Sequence, residues 1–145
     1  MILKFRTMRI GSDKMGLLTV GGKDSRITPI GYYLRKFKLD ELPQLFNVFI
    51  GDMSFVGPRP EVREYVNFYN DQQLRVLKVR PGITDMASIA FRNENELLLE
   101  QEDPHSYYVD VIMPKKLQIN LEYLKVRNLF KDVIVIFKTF FSIVK

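Results

Sequence analysis

Leu39-Asp40-Glu41-Leu42-Pro43-Gln44 sets two adjacent carboxylates beside a proline, and Gly57-Pro58-Arg59-Pro60-Glu61 fixes an arginine between two more prolines. Proline is costly inside a helix but harmless in its first turn, where the first four amides have no intrahelical partner. Pro43 therefore predicts a helix that starts at Asp40, with Leu42, Leu45, Phe46 and Phe49 as its apolar face. Asp40 and Glu41 would then lie at a helix N-terminus, where free amides and the positive dipole end favour ionised carboxylates. Their mutual repulsion works the other way, and an arginine or a divalent cation could relieve it.

Outward from this stretch the pattern is mostly helical. Upstream, Ile2 to Met8 alternates and predicts a short strand, and Gly11 to Ser25, centred on Gly21-Gly22, predicts a loop. Thr28-Pro29 predicts a capped helix start, followed by Ile30, Tyr33, Leu34 and Phe37 on one face. Downstream, Gly51-Asp52 stops the Asp40 helix and Met53 to Val56 reads as extended. A helix is expected from Glu61 to Leu77, with Val62, Tyr65, Val66, Tyr69 and Leu74 facing inward. Ile83 to Phe91 reads as partly extended, Glu94 to Gln101 as helical, and Ser106 to Lys125 as one or more helices. Leu129 to Lys145 carries eleven apolar residues and three lysines, a composition that can dock on a core, pair with another chain or lie in a membrane interface. The whole chain, 1–145, reads as one helix-dominated α+β domain with a few short strands.

Composition excludes several chemistries. The chain has no cysteine and a single histidine, His105, so thiolate catalysis, disulfides and His or Cys metal clusters are out. The formal charge of +5 suits anionic lipid, a phosphorylated small molecule or nucleic acid. No helix-turn-helix or aromatic-sheet signature supports nucleic acid. No stretch reaches 18 uninterrupted apolar residues, and the charged start is not a signal peptide.

An ionised Asp40 can attack phosphorus, and the Asp40–Glu41 pair can hold a hard cation such as Mg²⁺. An N-cap Asp with a first-turn Glu is also an ordinary structural arrangement. Arg59 can clamp phosphate with its fork of donors, or pair with Glu61 or Asp52. Lys4, Arg6, Arg35, Arg75 and Arg80 are further phosphate or nucleotide ligands in this reading, and solvated surface charges in the plainer one.

A resemblance narrows these alternatives. Lys4-Phe5-Arg6-Thr7-Met8, Asp24-Ser25-Arg26-Ile27-Thr28-Pro29-Ile30-Gly31, Leu34-Arg35-Lys36, the Asp40–Glu41 and Arg59 motifs, and Arg80-Pro81-Gly82-Ile83-Thr84 together resemble the bacterial sugar transferases, or monotopic phosphoglycosyl transferases. The resemblance implies transfer of a sugar-1-phosphate from a UDP-sugar to undecaprenyl (polyprenyl) phosphate, with release of UMP, in polysaccharide or glycoconjugate initiation. It implies Asp40 as the nucleophile of a covalent phospho-sugar intermediate, Glu41 as its partner at the Mg²⁺ site, and Arg59 at the nucleotide phosphates. It also implies work at the cytoplasmic face of the inner membrane. Two departures accompany it. The family's usual upstream re-entrant helix is not in this chain, so peripheral attachment is expected. Asp85 stands where many members have Gly, and Phe91-Arg92-Asn93 where others have Gly-Arg-Asn, a subfamily difference expected near the substrate pocket. A second expectation, from the apolar tail, is a catalytically weak partner domain that associates with a full-length enzyme or forms a homo-oligomer.

Overall fold

The computed structural model describes residues 1–12, 16, 18–20 and 24–144. The Gly21-Gly22 centre of the predicted loop, and Lys145, lie outside the described residues. The described residues form a predominantly helical fold around one pair of short parallel strands.

The alternating start does not become a strand; it makes a single antiparallel bridge, Met8 with Ile27. Its hydrogen bonds go to side chains and turns instead. The Leu3 N–H donates to Asn47 Oδ1 at 2.8 Å, the Phe5 N–H to the Asp40 carbonyl at 2.9 Å, and Asn47 Nδ2 to the Met1 carbonyl at 2.8 Å. These bonds draw Lys4 across the carboxylate pair.

Helix α1 spans Pro29–Lys36 and begins as the Thr28-Pro29 signal predicts: Thr28 Oγ1 accepts the Gly31 N–H at 2.9 Å. Gly31 is required by contact, since a Cβ there would sit 2.1 Å from the Thr7 carbonyl oxygen. Lys38, left-handed at φ 56°, turns the chain out of α1. The helix expected from Asp40 then divides in two. Leu39–Glu41 is a 3-10 turn, and α2 runs over Gln44–Phe49. Pro43 explains the split. It has no N–H to donate to the Leu39 carbonyl, so no α-type bond reaches back from it into the 3-10 turn. The turn closes through tighter bonds, Glu41 N–H to Lys38 and Leu42 N–H to Leu39.

Strand β1, Ser54–Val56, pairs in parallel with β2, Gly82–Thr84, with Ser54 opposite Gly82 and Val56 opposite Thr84. The crossover holds α3, Arg63–Val66, and a 3-10 helix, Gln73–Lys78. The expected continuous helix over 61–77 is interrupted here. Asn70 and Gln73 each accept the other's backbone N–H at 2.9 Å, a local alternative to helical bonding. The interruption shifts the inward face: Tyr65 is buried as expected, Val62 and Leu74 are exposed, and Val76 is buried in their place. The residue after β1 and the first residue of β2 touch backbone to backbone, so a Cβ on Gly82 would lie 2.2 Å from the Gly57 nitrogen.

Past β2 the expected extended backbone ends at Thr84. Asp85 caps α4, Met86–Ala90, its carboxylate accepting the Ser88 N–H at 2.5 Å. Helix α5, Glu94–Leu99, follows. Asp103 caps α6, Pro104–Tyr107, which continues through a π-turn, Tyr108–Ile112, into α7, Met113–Val126. Pro114 accounts for the widened turn, because it has no N–H for the Asp110 carbonyl and its ring would strike that carbonyl in a regular helix. Helix α8, Leu129–Val144, closes the chain.

Two buried clusters hold these elements together. One joins Tyr65, Val76, Leu98, Tyr108, Ile112, Met113 and Leu117; the other joins Val56, Tyr123 and Val135 beneath α8. Among the described residues, no helix is long and apolar enough to cross a membrane.

Candidate active site

The 3-10 turn delivers Asp40 and Glu41 side by side, both buried. The N-terminal segment brings Lys4 above them, with Nζ 3.0 Å from Asp40 Oδ2 and 3.5 Å from Glu41 Oε1. The loop after β1 brings Arg59 from the other side. Its Nη1 donates to Glu41 Oε2 at 2.7 Å and its Nη2 to Glu41 Oε1 at 2.6 Å, a two-pronged pairing. Arg59 Nη1 also donates to the Ile83 carbonyl at 2.7 Å.

The electrostatics follow from this packing. Burial alone would raise the Glu41 carboxyl. The Arg59 fork, helped by Lys4 and Lys38, outweighs burial and holds it down at about 2. The helix dipole expected to stabilise the pair is a minor matter, since α2 has six residues and starts three positions after Glu41. Neighbouring cations do that work. Asp40, 2 % exposed, is committed through Oδ2 to Lys4, while its buried Oδ1 has no hydrogen-bond partner among the described residues.

Three cavities border this cluster. The largest, about 700 Å³, is lined by Glu41 and Arg59, by Lys36, Lys38, Arg92 and Lys116, and by the apolar Phe37, Leu42, Leu45 and Ile143. It thus lies between the α1–α2 region and the end of α8. A second, about 360 Å³, is lined by Lys4, Arg35, Lys36, Lys38, Asp40 and Glu41. A third, about 410 Å³, lies on the Arg59 side and is lined by Lys4, Arg59, Glu61, Asp85, Tyr108 and Asn120, among others.

Of the residues nominated from sequence, Lys4, Asp40, Glu41 and Arg59 come together, and Arg35 joins them on the second cavity wall. Arg35 is held there by Thr7, whose Oγ1 accepts from Nε at 2.9 Å. Arg6, Arg75 and Arg80 are exposed and line none of these three cavities. The sequence alternatives for Arg59, pairing with Glu61 or Asp52, give way to Glu41; Glu61 accepts the Tyr108 hydroxyl instead. Sequence reasoning missed Lys36, Lys38, Arg92 and Lys116 as cavity residues and Asn120 as a neighbour of Asp85. These basic residues are spread over three segments, and only the fold collects them.

Among the described residues no group of three or more histidines, cysteines or carboxylates is placed to hold a metal. Mg²⁺ does not demand one, because it commonly takes one or two carboxylates and completes its octahedron with phosphate oxygens and water. The unpartnered Asp40 Oδ1 fits that donor set, whereas both Glu41 oxygens are already engaged by Arg59.

The family model described as bacterial sugar transferase matches residues 1–145. The chain is 36% identical over 143 residues to a UDP-N-acetylgalactosamine-undecaprenyl-phosphate N-acetylgalactosaminephosphotransferase of Aeromonas hydrophila, covering 95% of this chain and 30% of that protein. It is 34% identical over 146 residues to a UDP-glucose:undecaprenyl-phosphate glucose-1-phosphate transferase of Escherichia coli, covering 97% and 29%. It is 38% identical over 116 residues to an undecaprenyl-phosphate galactose phosphotransferase of Salmonella typhimurium, covering 80% and 21%. The chain therefore spans less than a third of the length of these relatives. With the match running from the first residue to the last, the chain belongs to the bacterial sugar transferase family.

Proposed function

We propose that this domain transfers a sugar-1-phosphate from a UDP-sugar to a polyprenyl phosphate through a covalent intermediate on Asp40. The observation that carries the reading is the unequal commitment of the paired carboxylates. Both Glu41 oxygens are taken by Arg59, Asp40 Oδ2 by Lys4, and Asp40 Oδ1 has no donor among the described residues. A carboxylate oxygen with no donor keeps its lone pairs for phosphorus. In the first step Oδ1 bonds to the phosphorus that carries the sugar, and the bond from that phosphorus to the bridging oxygen breaks, so UMP leaves. In the second, an oxygen of the polyprenyl phosphate bonds to the same phosphorus and the Oδ1–phosphorus bond breaks, which restores the carboxylate.

Lys4 and Arg59 flank the pair and supply positive charge to the phosphates, and Arg35, Lys36 and Lys38 extend that field along the cavity walls. Because Asp40 is nearly enclosed, the donor must displace part of its surroundings; Lys4, 41 % exposed, is the least buried member of the cluster. Glu41 is taken up by Arg59, so Mg²⁺ would rest on Asp40 and the donor's phosphate oxygens, where it would screen the donor phosphates and the departing UMP. The three relatives carry names with three different sugars, so the fold class leaves the sugar open.

The test is intact mass after mixing the protein with Mg²⁺ and, in turn, UDP-glucose, UDP-galactose, UDP-N-acetylglucosamine and UDP-N-acetylgalactosamine, without lipid acceptor. A one-sugar-phosphate adduct on Asp40, absent from Asp40→Asn and discharged by undecaprenyl phosphate, is expected. An adduct that maps elsewhere, or that persists in Asp40→Asn, sinks the assignment.

Apolar residues at the largest cavity support a path for the acceptor there. Leu42 and Leu45 on one side and Ile143 on the other border the space that Glu41 and Arg59 share. Exposed apolar side chains continue outward on α2 and α8, including Phe46, Phe49, Phe137 and Phe141. This arrangement suits a domain working at the cytoplasmic leaflet, with a lipid phosphate entering between the two helices. The same surface supports the second reading, self-association or docking on a longer enzyme, which light scattering across a concentration series separates from lipid binding.

A further inference from the structure

Pro58-Arg59-Pro60 contains one backbone N–H, that of Arg59, because proline has none. That N–H donates to Asp85 Oδ2 at 2.9 Å. Asp85 is 2 % exposed and is held from two other directions. Asn120 Nδ2, from α7, donates to the same Oδ2 at 2.7 Å, and the Ser88 N–H donates to Oδ1 at 2.5 Å. The carboxylate therefore fastens the arginine loop to α7 and to the start of α4. Two residues before Asp85, the Ile83 carbonyl accepts from the Arg59 guanidinium. The β2–α4 junction thus grips Arg59 at its backbone and at its side-chain tip, and Glu41 completes the grip from the opposite side.

We infer that Asp85 is a positioning residue: through the one backbone donor of the Pro-Arg-Pro segment it sets where the Arg59 guanidinium lies, and so which carboxylate oxygens of the Asp40–Glu41 pair are occupied. It does not touch Asp40 or Glu41 itself, and it acts through Arg59. The inference rests on the proposed phosphoryl-transfer reading only for its catalytic consequence; the geometry it asserts stands without turnover. Asparagine cannot replace the carboxylate. Asp85 accepts three hydrogen bonds and donates none, so an amide set to accept from Ser88 would turn its NH₂ toward the Arg59 N–H and Asn120 Nδ2. Serine keeps the capping oxygen for Ser88 but has no second oxygen for Arg59.

Asp85→Ser and Asp85→Asn therefore both preserve the α4 cap and remove the latch. The experiment is ¹⁵N NMR of arginine side chains in the intact protein. Arg26 provides an internal control, because it is buried, paired to Asp24 and remote in sequence from the latch. In the unaltered protein, both arginines should give slowly exchanging guanidinium signals. In each variant the Arg59 guanidinium protons should exchange at least tenfold faster while those of Arg26 keep their rates. If the unaltered protein forms the Asp40 adduct, each variant should form it at least tenfold more slowly, with donor KM changed less than the rate. Arg59 signals that keep their original exchange rates in both variants would overturn the inference. So would equal loosening of Arg26 and Arg59, which would make Asp85 a general support of the fold. Absence of any adduct in the unaltered protein would count against the Asp40 reading alone and leave the NMR result to decide the latch.

Discussion

Arg59 occupies both oxygens of Glu41, and this one contact sets the acid behaviour of the site. The Glu41 carboxyl is lowered from 4.5 to about 2 on folding. A depressed carboxyl contributes stability above its unfolded value, and the contribution disappears as pH falls through the folded one. The window is therefore pH 4.5 down to about 2. At neutral pH the contribution is of order 3 kcal/mol, from about 1.4 kcal/mol per pH unit. Urea unfolding of wild type and Glu41→Gln should differ by roughly that amount at pH 6 and by progressively less at pH 4 and pH 3. A difference that stays constant over this range would mean that the ion pair is not the source. These residues were legible early: adjacent acids beside Pro43, and an arginine pinned by prolines, single themselves out. Their pairing was not. Glu61 and Asp52 are nearer to Arg59 in sequence than Glu41 is, and only the parallel strand pair turns Arg59 toward the earlier turn.

Among the elements, α8 has the most divided loyalties. Val135, 1 % exposed, packs with Val56 and Tyr123, and the Thr139 and Thr84 hydroxyls meet at 2.7 Å. Much of the rest of its circumference carries exposed apolar side chains, Phe130 at 83 % exposure among them. Val135→Ala should cost about 1–2 kcal/mol in urea unfolding, as expected for a small deletion in a packed site. Phe141→Ser on the exposed side should change stability by no more than ~0.5 kcal/mol. Reversed magnitudes would mean that α8 docks by its other face. Periodicity announced an apolar helix here but could not choose its docking stripe, because apolar residues lie on every side. Elsewhere short-range chemistry overruled the pattern: Pro43 split one expected helix, and the Asn70–Gln73 exchange split another. The Thr28-Pro29 start was readable because its cap is wholly local.

For the molecule as a whole, exposed apolar side chains on α2 and α8 lie beside basic residues around the same cavity, a combination expected to favour anionic lipid under the proposed function. Co-sedimentation should show partial, salt-sensitive binding to vesicles containing anionic lipid, weak binding to neutral ones, and a clear loss with Phe141→Ser. Binding that ignores lipid charge and salt would reject electrostatic docking. The helix from Pro104 to Val126 ties this architecture together. It feeds the first core through Tyr108 and Leu117, steadies Asp85 through Asn120, and reaches the second core through Tyr123. Nine residues at about 100° each would put Tyr108 and Leu117 on opposite sides of a regular helix, ~180° apart. The π-turn absorbs one residue and brings the separation to roughly 80°, which lets both enter one core. The turn therefore works as a phase adjuster. A relative that lacks the extra residue can keep every face of this helix in place while its numbering falls one step behind, so faces there must be matched across the turn and not counted through it.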